Sequence, residues 1–256
     1  MLSFERYRTE IVTQSELLAS AIADRDLSAP VPSCPGWTVN QLVRHLGGGQ
    51  RWAAEVVRTR ASAPPSDAHF RELSGYVDED PAELASWLVE GADELADALR
   101  EAGPDAQMWA PLPVDRPALF FARRFTHETV VHRADGTLPL GVEFTVSTDV
   151  GLDTLAEWME LEALPIMFEF KPEKRELLAP GRTIHLHATD APAEWVVDLT
   201  GELIVCREGH EKCSVAMRGP LVDLLLVLYG RRDVSAVEVL GDAELLDYWL
   251  KRVTFG

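Results

Sequence analysis

Cysteine is scarce in this 256-residue chain: Cys34, Cys206 and Cys213 are the full complement. Three thiols cannot build a disulfide framework, so an apolar core must hold the fold, and a reducing, cytoplasmic setting is expected. Positive charge is also short. Asp and Glu number 42 against 24 Lys and Arg, a formal net charge of −18. Such an acidic balance argues against nucleic acid or an anionic membrane as the main partner, because binding either requires a basic surface to neutralise phosphates. It leaves room for a local basic pocket that takes a small anion. No apolar run reaches the roughly 20 residues that span a bilayer. The opening MLSFERYRTE lacks the uncharged apolar core that a secretory signal places behind its basic segment. There is no internal repeat, no phosphate-binding Walker loop, no Gly-x-Gly-x-x-Gly and no Gly-x-Ser-x-Gly nucleophile elbow.

What is present is an ordinary globular composition, 46% hydrophobic and 26% charged, on a chain long enough for one large domain or two small ones. The first half reads as helices. Residues 4–23 carry apolar side chains at loose helical spacing. Thr38 has the character of an N-cap, and Val39, Leu42, Val43 and Leu46 then fall at i, i+3, i+4, i+7 of a helix running towards Thr59. Asp80-Pro81 starts a third helix to about Ala102, and a fourth runs from about Ala118 to Ala134. Four helices with long crossings predict a bundle over residues 1–140.

The pattern then changes. After a helix over about 147–164 come alternating runs at 183–188, 194–199, 202–207 and 212–218, a helix at 221–229, a strand at 234–240 and a helix opened by Asp242. This predicts an α+β chain with a small second domain over 146–256. Gly209-His210 suits a tight turn pairing the third and fourth strands, which would set Cys206 opposite Cys213 as free thiols.

The strongest chemical signal is His127-Glu128-Thr129-Val130-Val131-His132-Arg133-Ala134-Asp135. Glu128 and His132 stand one turn apart on the stripe that carries Phe121 and Phe125. A carboxylate on a core-facing stripe is costly unless it is paired or bound to a cation. A carboxylate and an imidazole converging there suit zinc or a similar divalent ion. His45, beside the apolar face of the second helix and followed by Gly47-Gly48-Gly49, is the best third ligand. Three ligands and an open position make a catalytic arrangement, whereas structural zinc has four. Each residue also has a plainer reading. Glu128 and His132 could pair with arginines or with each other, and His45 could be a hydrogen-bonded core histidine. The glycines could make space for a ligand or let helices pack closely. Asp135 could orient His132 or be a surface turn residue. His185 and His187 share a strand face with no third ligand nearby in sequence, so they read as solvent-facing. Cys34 has no evident activating base and reads as a packing residue.

The segment Cys34-Pro35-Gly36-Trp37-Thr38-Val39 leading to His45-Leu46, together with the 127–135 segment, resembles the mycothiol-dependent maleylpyruvate isomerase family. That resemblance implies a DinB-like metal-binding four-helix bundle followed by a small α/β domain similar to sterol carrier proteins. It implies a zinc held by His45, Glu128 and His132, and mycothiol as cofactor or cosubstrate. It also implies an arginine of the second domain at the active site, with Arg231 foremost and Arg218 behind it. The expected function is a metal-dependent, thiol-using enzyme acting on a small electrophilic substrate, as a cis–trans isomerase or an S-transferase. Twenty arginines against four lysines fit an actinobacterial source. The competing reading is a non-catalytic protein that binds a small molecule or lipid in its second domain, with the bundle as scaffold.

Overall fold

The computed structural model describes residues 1–253. The chain divides into two compact units, Leu2–Phe144 and Thr145–Gly256, the latter joined by Met1. The first is helical: α1 (Phe4–Ile22), α2 (Val39–Thr59), the short α3 (Ala68–Arg71), α4 (Pro81–Ala102) and α5 (Pro117–Thr137). Helix starts follow the local chemistry. The Ser3 hydroxyl accepts from the Arg6 amide, and the Asp80 carboxylate accepts from the Ala82 and Glu83 amides just before Pro81. Thr38 forms a full capping box with Gln41.

The four long helices bury their apolar stripes against one another. Tyr7, Ile11, Val56, Val57, Leu95, Leu99 and Phe121 make one cluster, and Leu18, Ile22, Leu42, Val43, Leu46, Leu84 and Leu88 make another. Between the two run buried polar links. Gln50 Nε2 donates to Ser15 Oγ at 2.9 Å and to Thr129 Oγ1 at 3.3 Å, tying α2 to α1 and α5. The short helix α3 exists because Phe70 is buried against the bundle.

The second unit contains α6 (Thr148–Glu162), α7 (Met167–Phe170), α8 (Leu221–Leu228), α9 (Ala243–Val253) and one five-stranded sheet. Its strands are β1 (Thr183–Ala188), β2 (Glu194–Asp198), β3 (Val205–Glu208), β4 (Val215–Gly219) and β5 (Glu238–Gly241), in the order β3-β2-β1-β4-β5. Strands β1 and β4 are parallel and the other pairs antiparallel. Ile184, Leu186, Trp195, Val197, Val215 and Met217 are buried, and α8 and α9 pack on the sheet. Trp158 and Trp249 meet edge to face at 5.7 Å, and Lys174 is fully buried 2.6 Å from both Glu162 oxygens.

The expected β3–β4 hairpin does not form. Three strand spacings, about 14 Å, separate β3 from β4, so Cys206 and Cys213 do not face each other. Burial explains the order. Val215 and Met217 are fully buried, as a strand beside the central β1 must be, whereas β3 is largely exposed and suits an edge. Gly209 and His210 therefore begin a crossing over the sheet and not a tight turn. The 234–240 run is also divided, into a single 3₁₀ turn at Val234–Ala236 and the shorter β5.

Because the Thr38 cap starts the helix that carries His45, Thr38→Ala is expected to lower unfolding free energy by about 1 kcal/mol. Denaturant titration should show a lower midpoint with an unchanged slope.

Candidate metal centre in the helical unit

Helix α5 carries Glu128 and His132 on one stripe, below the stacked rings of Phe121 and Phe125. His132 Nε2 lies 3.3 Å from Glu128 Oε2, and Arg124, one turn earlier, places Nε 3.3 Å from Glu128 Oε1. On the facing helix, His45 meets His132 edge to face with ring centroids 5.3 Å apart. The three residues singled out from spacing thus converge where α2 faces α5. The pairing of Glu128 with an arginine and with His132 is present as well.

Each ring is held from behind. His45 Nδ1 lies 2.9 Å from the Phe70 carbonyl oxygen. A carbonyl can only accept, so Nδ1 carries the proton and Nε2 keeps its lone pair. Burial, with the neighbouring His132 cation, pushes the His45 pKa down to about 4, which leaves a neutral imidazole at pH 7. His132 Nδ1 lies 2.9 Å from Asp135 Oδ2. Burial alone would lower the His132 pKa, but Asp135 and Glu128 outweigh it and raise the value to about 9. Burial alone would raise the Glu128 pKa, but Arg124, His132 and His45 hold it well below the usual carboxylate range. A ring backed by a carboxylate or a carbonyl is the usual support of a metal-ligating histidine.

Asp135 is buried, which decides between its two sequence readings in favour of orienting His132. Its other oxygen accepts from Ser33 Oγ. Sequence reasoning passed over Ser33, although it precedes the Cys34-Pro35-Gly36-Trp37 segment. That segment is a tight loop, with Val31 N–H bonded to Trp37 O and Trp37 N–H to Cys34 O. It serves both histidines, since Trp37 packs on His45 with ring centroids 4.9 Å apart. Cys34 packs against the apolar cluster beside Trp37.

The glycines make room for side chains. A Cβ on Gly47 would fall 2.5 Å from the Trp87 ring, and one on Gly48 would fall 2.5 Å from Phe70 Cβ. Gly49 would make only ordinary contact with Phe125. Close approach at Gly48 lets the Phe70 backbone reach His45, so this glycine serves the histidine indirectly.

The remaining candidates lie in the second unit. Arg218, on β4, pairs with Glu238 at 3.1 Å. Arg231 follows α8, donates to the Tyr229 carbonyl and lines a groove of about 530 Å³ with Arg232, Val227 and Leu246. His185 and His187 do not stand alone as the sequence suggested, because Glu194 and His210 join them. Burial raises the Cys206 thiol to about 12 and moves Cys213 upward, so neither is a thiolate at neutral pH.

Two family models match the chain. The mycothiol maleylpyruvate isomerase N-terminal domain covers residues 8–135, and the MDMPI C-terminal domain covers residues 171–248. A crystal structure of a mycothiol-dependent maleylpyruvate isomerase superimposes with a TM-score of 0.63 at 15% identity, over 93% of each chain. A histidine-to-alanine mutant of a mycothiol-dependent maleylpyruvate isomerase gives a TM-score of 0.63 at 14% identity, again over 93% of each chain. These similarities establish a shared fold. No curated protein matches the chain.

The raised His132 pKa fixes a pH dependence. Its contribution to stability is fully present below the unfolded value of about 6.5 and is lost as pH rises through about 9. Metal-free protein should therefore lose on the order of 1–3 kcal/mol between pH 7 and pH 10 from this group. Asp135→Asn should bring the His132 pKa down towards 6.5 and flatten that loss, as read by NMR titration of the ring and by denaturation at each pH.

Proposed function

The chain belongs to the mycothiol maleylpyruvate isomerase family, and on that premise we propose that it is a metal-dependent, mycothiol-using enzyme acting on a small electrophilic substrate. The reaction is either cis–trans isomerisation of the maleylpyruvate type or transfer of the thiol to the substrate. One observation carries the reading: His45, Glu128 and His132 converge with both imidazoles oriented from behind.

The donor set fits a zinc ion. Two nitrogens and one carboxylate oxygen, each from a different side chain, match an open catalytic zinc site. His45 Nε2 already presents a lone pair, and the Glu128 carboxylate is ionised. When bound there, such an ion would keep an added thiol in its thiolate form at neutral pH. Asp135 would accept a hydrogen bond from the Nδ1–H of His132 and keep the ring aimed at its ligating side. Arg124 would neutralise the second oxygen of Glu128.

An external thiol is needed because the chain supplies no evident nucleophile of its own. Cys206 and Cys213 are held protonated, and Cys34 packs in the apolar cluster. We assign recognition of a substrate carboxylate to an arginine of the second unit, Arg231 or Arg218, by a bidentate fork. A low-molecular-weight thiol as cosubstrate places the enzyme in the reducing cytoplasm. No helix among the described residues is long and apolar enough to cross a membrane. The lipid-binding alternative gains no support from the groove beside Arg231, which is also lined by Arg232, Asp233, Asp247 and Lys251.

The test is turnover of maleylpyruvate by the metal-loaded full chain, with and without mycothiol, followed by absorbance and by mass spectrometry for a thioether adduct. Turnover should require the thiol. His45→Ala should lower it by about a thousandfold, and simultaneous Ser substitution of the three cysteines should leave it within about threefold. Turnover independent of added thiol would refute the reading. Zinc binding at this site should also displace a proton from His132 below pH 9, so affinity should rise about tenfold per pH unit between pH 6 and 8.

A further inference from the structure

We propose that the sheet unit holds a divalent transition-metal ion of its own, bound by His185, His187, Glu194 and His210. These residues come from three places in the chain. His185 and His187 stand on the same face of β1, two residues apart. Glu194 opens β2 and is the register partner of His187. His210 lies on the segment that crosses from β3 to β4, and its Nδ1 is 2.5 Å from Glu194 Oε2, so this crossing passes over the histidine face of the sheet.

The ligand atoms surround one point. His185 Nε2 lies 2.9 Å and His187 Nδ1 3.0 Å from the same Glu194 Oε2. All four ligand atoms fall within 4.8 Å of one another. Ligands on a tetrahedral zinc, with bonds of 2.0–2.1 Å, stand about 3.3 Å apart, which lies inside that spread. A small outward shift of the carboxylate therefore opens the cluster to an ion.

A hydrogen-bonded cluster accounts for the arrangement less well. Three rings converge on one carboxylate oxygen, which has two lone pairs. His185 is buried, and its Nε2 has to share that one Glu194 oxygen, 2.9 Å away, with His187 and His210. A buried ring nitrogen that competes with two other rings for one acceptor is a group that a cation at the centre of the cluster would satisfy. The donor set also names the class of ion. Three imidazoles and one carboxylate suit zinc, nickel or copper and do not suit magnesium or calcium, which take oxygen ligands.

Four protein ligands make a closed, structural type of site. The bound ion would staple β1, β2 and the 209–214 crossing together. Arg207 already anchors that crossing through its paired contacts with Glu211, at 2.7 and 2.8 Å.

The experiment is zinc titration of the untagged full chain, stripped with chelator, by calorimetry and by metal analysis after dialysis. The variants are His187→Ala/His210→Ala, the single His210→Ala and His45→Ala/His132→Ala. His210 is 77% exposed, so its replacement should not disturb folding, and circular dichroism will check this. Expected are a zinc equivalent that survives His45→Ala/His132→Ala but is lost in His187→Ala/His210→Ala, and an affinity for it weakened about tenfold or more by His210→Ala. That equivalent should raise the melting temperature of the His45→Ala/His132→Ala protein. Absence of any zinc equivalent in folded His45→Ala/His132→Ala protein would overturn the inference, as would an equivalent indifferent to loss of His187 and His210. Failure of the helical-unit site alone would appear as full zinc retention by His45→Ala/His132→Ala relative to wild type, a distinct result.

Discussion

An ionised carboxylate and an imidazole placed on the apolar stripe of a helix must be compensated, and the helical unit is organised around that compensation. Glu128 is neutralised from one side by Arg124 and from the other by His132. His132 in turn leans on Asp135, which is buried and leans on Ser33. The chain of contacts runs from α5 into the loop before α2, so the loop's shape is tied to the charge on α5. The same loop sets Trp37 against His45. The half-exposed carboxylate and the buried imidazole are therefore held by a sequence of polar contacts, each satisfying the next.

Much of this could be read from the sequence, for identifiable reasons. The four-residue spacing of Glu128 and His132 forces them onto one helical stripe whatever surrounds them. Thr38, Asp80 and Pro81 announce helix starts through chemistry that acts within four residues, and the helices begin there. The β1 boundaries follow from alternation alone. What was illegible depends on contacts between distant segments. Nothing near Ser33 announces a partner 102 positions away. The purpose of Gly47 and Gly48 is visible only once Trp87 and Phe70 are placed against them. The β3–β4 hairpin failed for the same reason: a Gly-His dipeptide states that the chain bends, while the burial of Val215 and Met217 decides where the next strand goes.

That misplaced turn had a second effect. Glu194 reaches His187 through the β1–β2 register in either case, so the turn bears on His210 alone. With β4 placed on the far side of β1, the connection has to cross the sheet, and His210 is carried onto Glu194. Strand order, set by hydrophobic burial, thus creates the juxtaposition of polar groups that local sequence does not display.

The two histidine–carboxylate clusters differ in a way that bears on their roles. In the helical unit both imidazoles are backed, His45 by a carbonyl and His132 by a carboxylate, and the three proposed ligands would leave a fourth position open on a tetrahedral ion. Backing of this kind fixes ring orientation before any ion arrives, which suits a site whose open position must present a reactant repeatedly in one geometry. In the sheet unit, the four side chains lie close enough to fill a tetrahedral shell, and His187 and His210 meet the same Glu194 oxygen directly through Nδ1. A filled shell has no position for a reactant, so the contribution of the proposed ion would be cross-linking of strands. On the proposed ligand counts, the open and backed set would serve chemistry and the closed and shared set reinforcement.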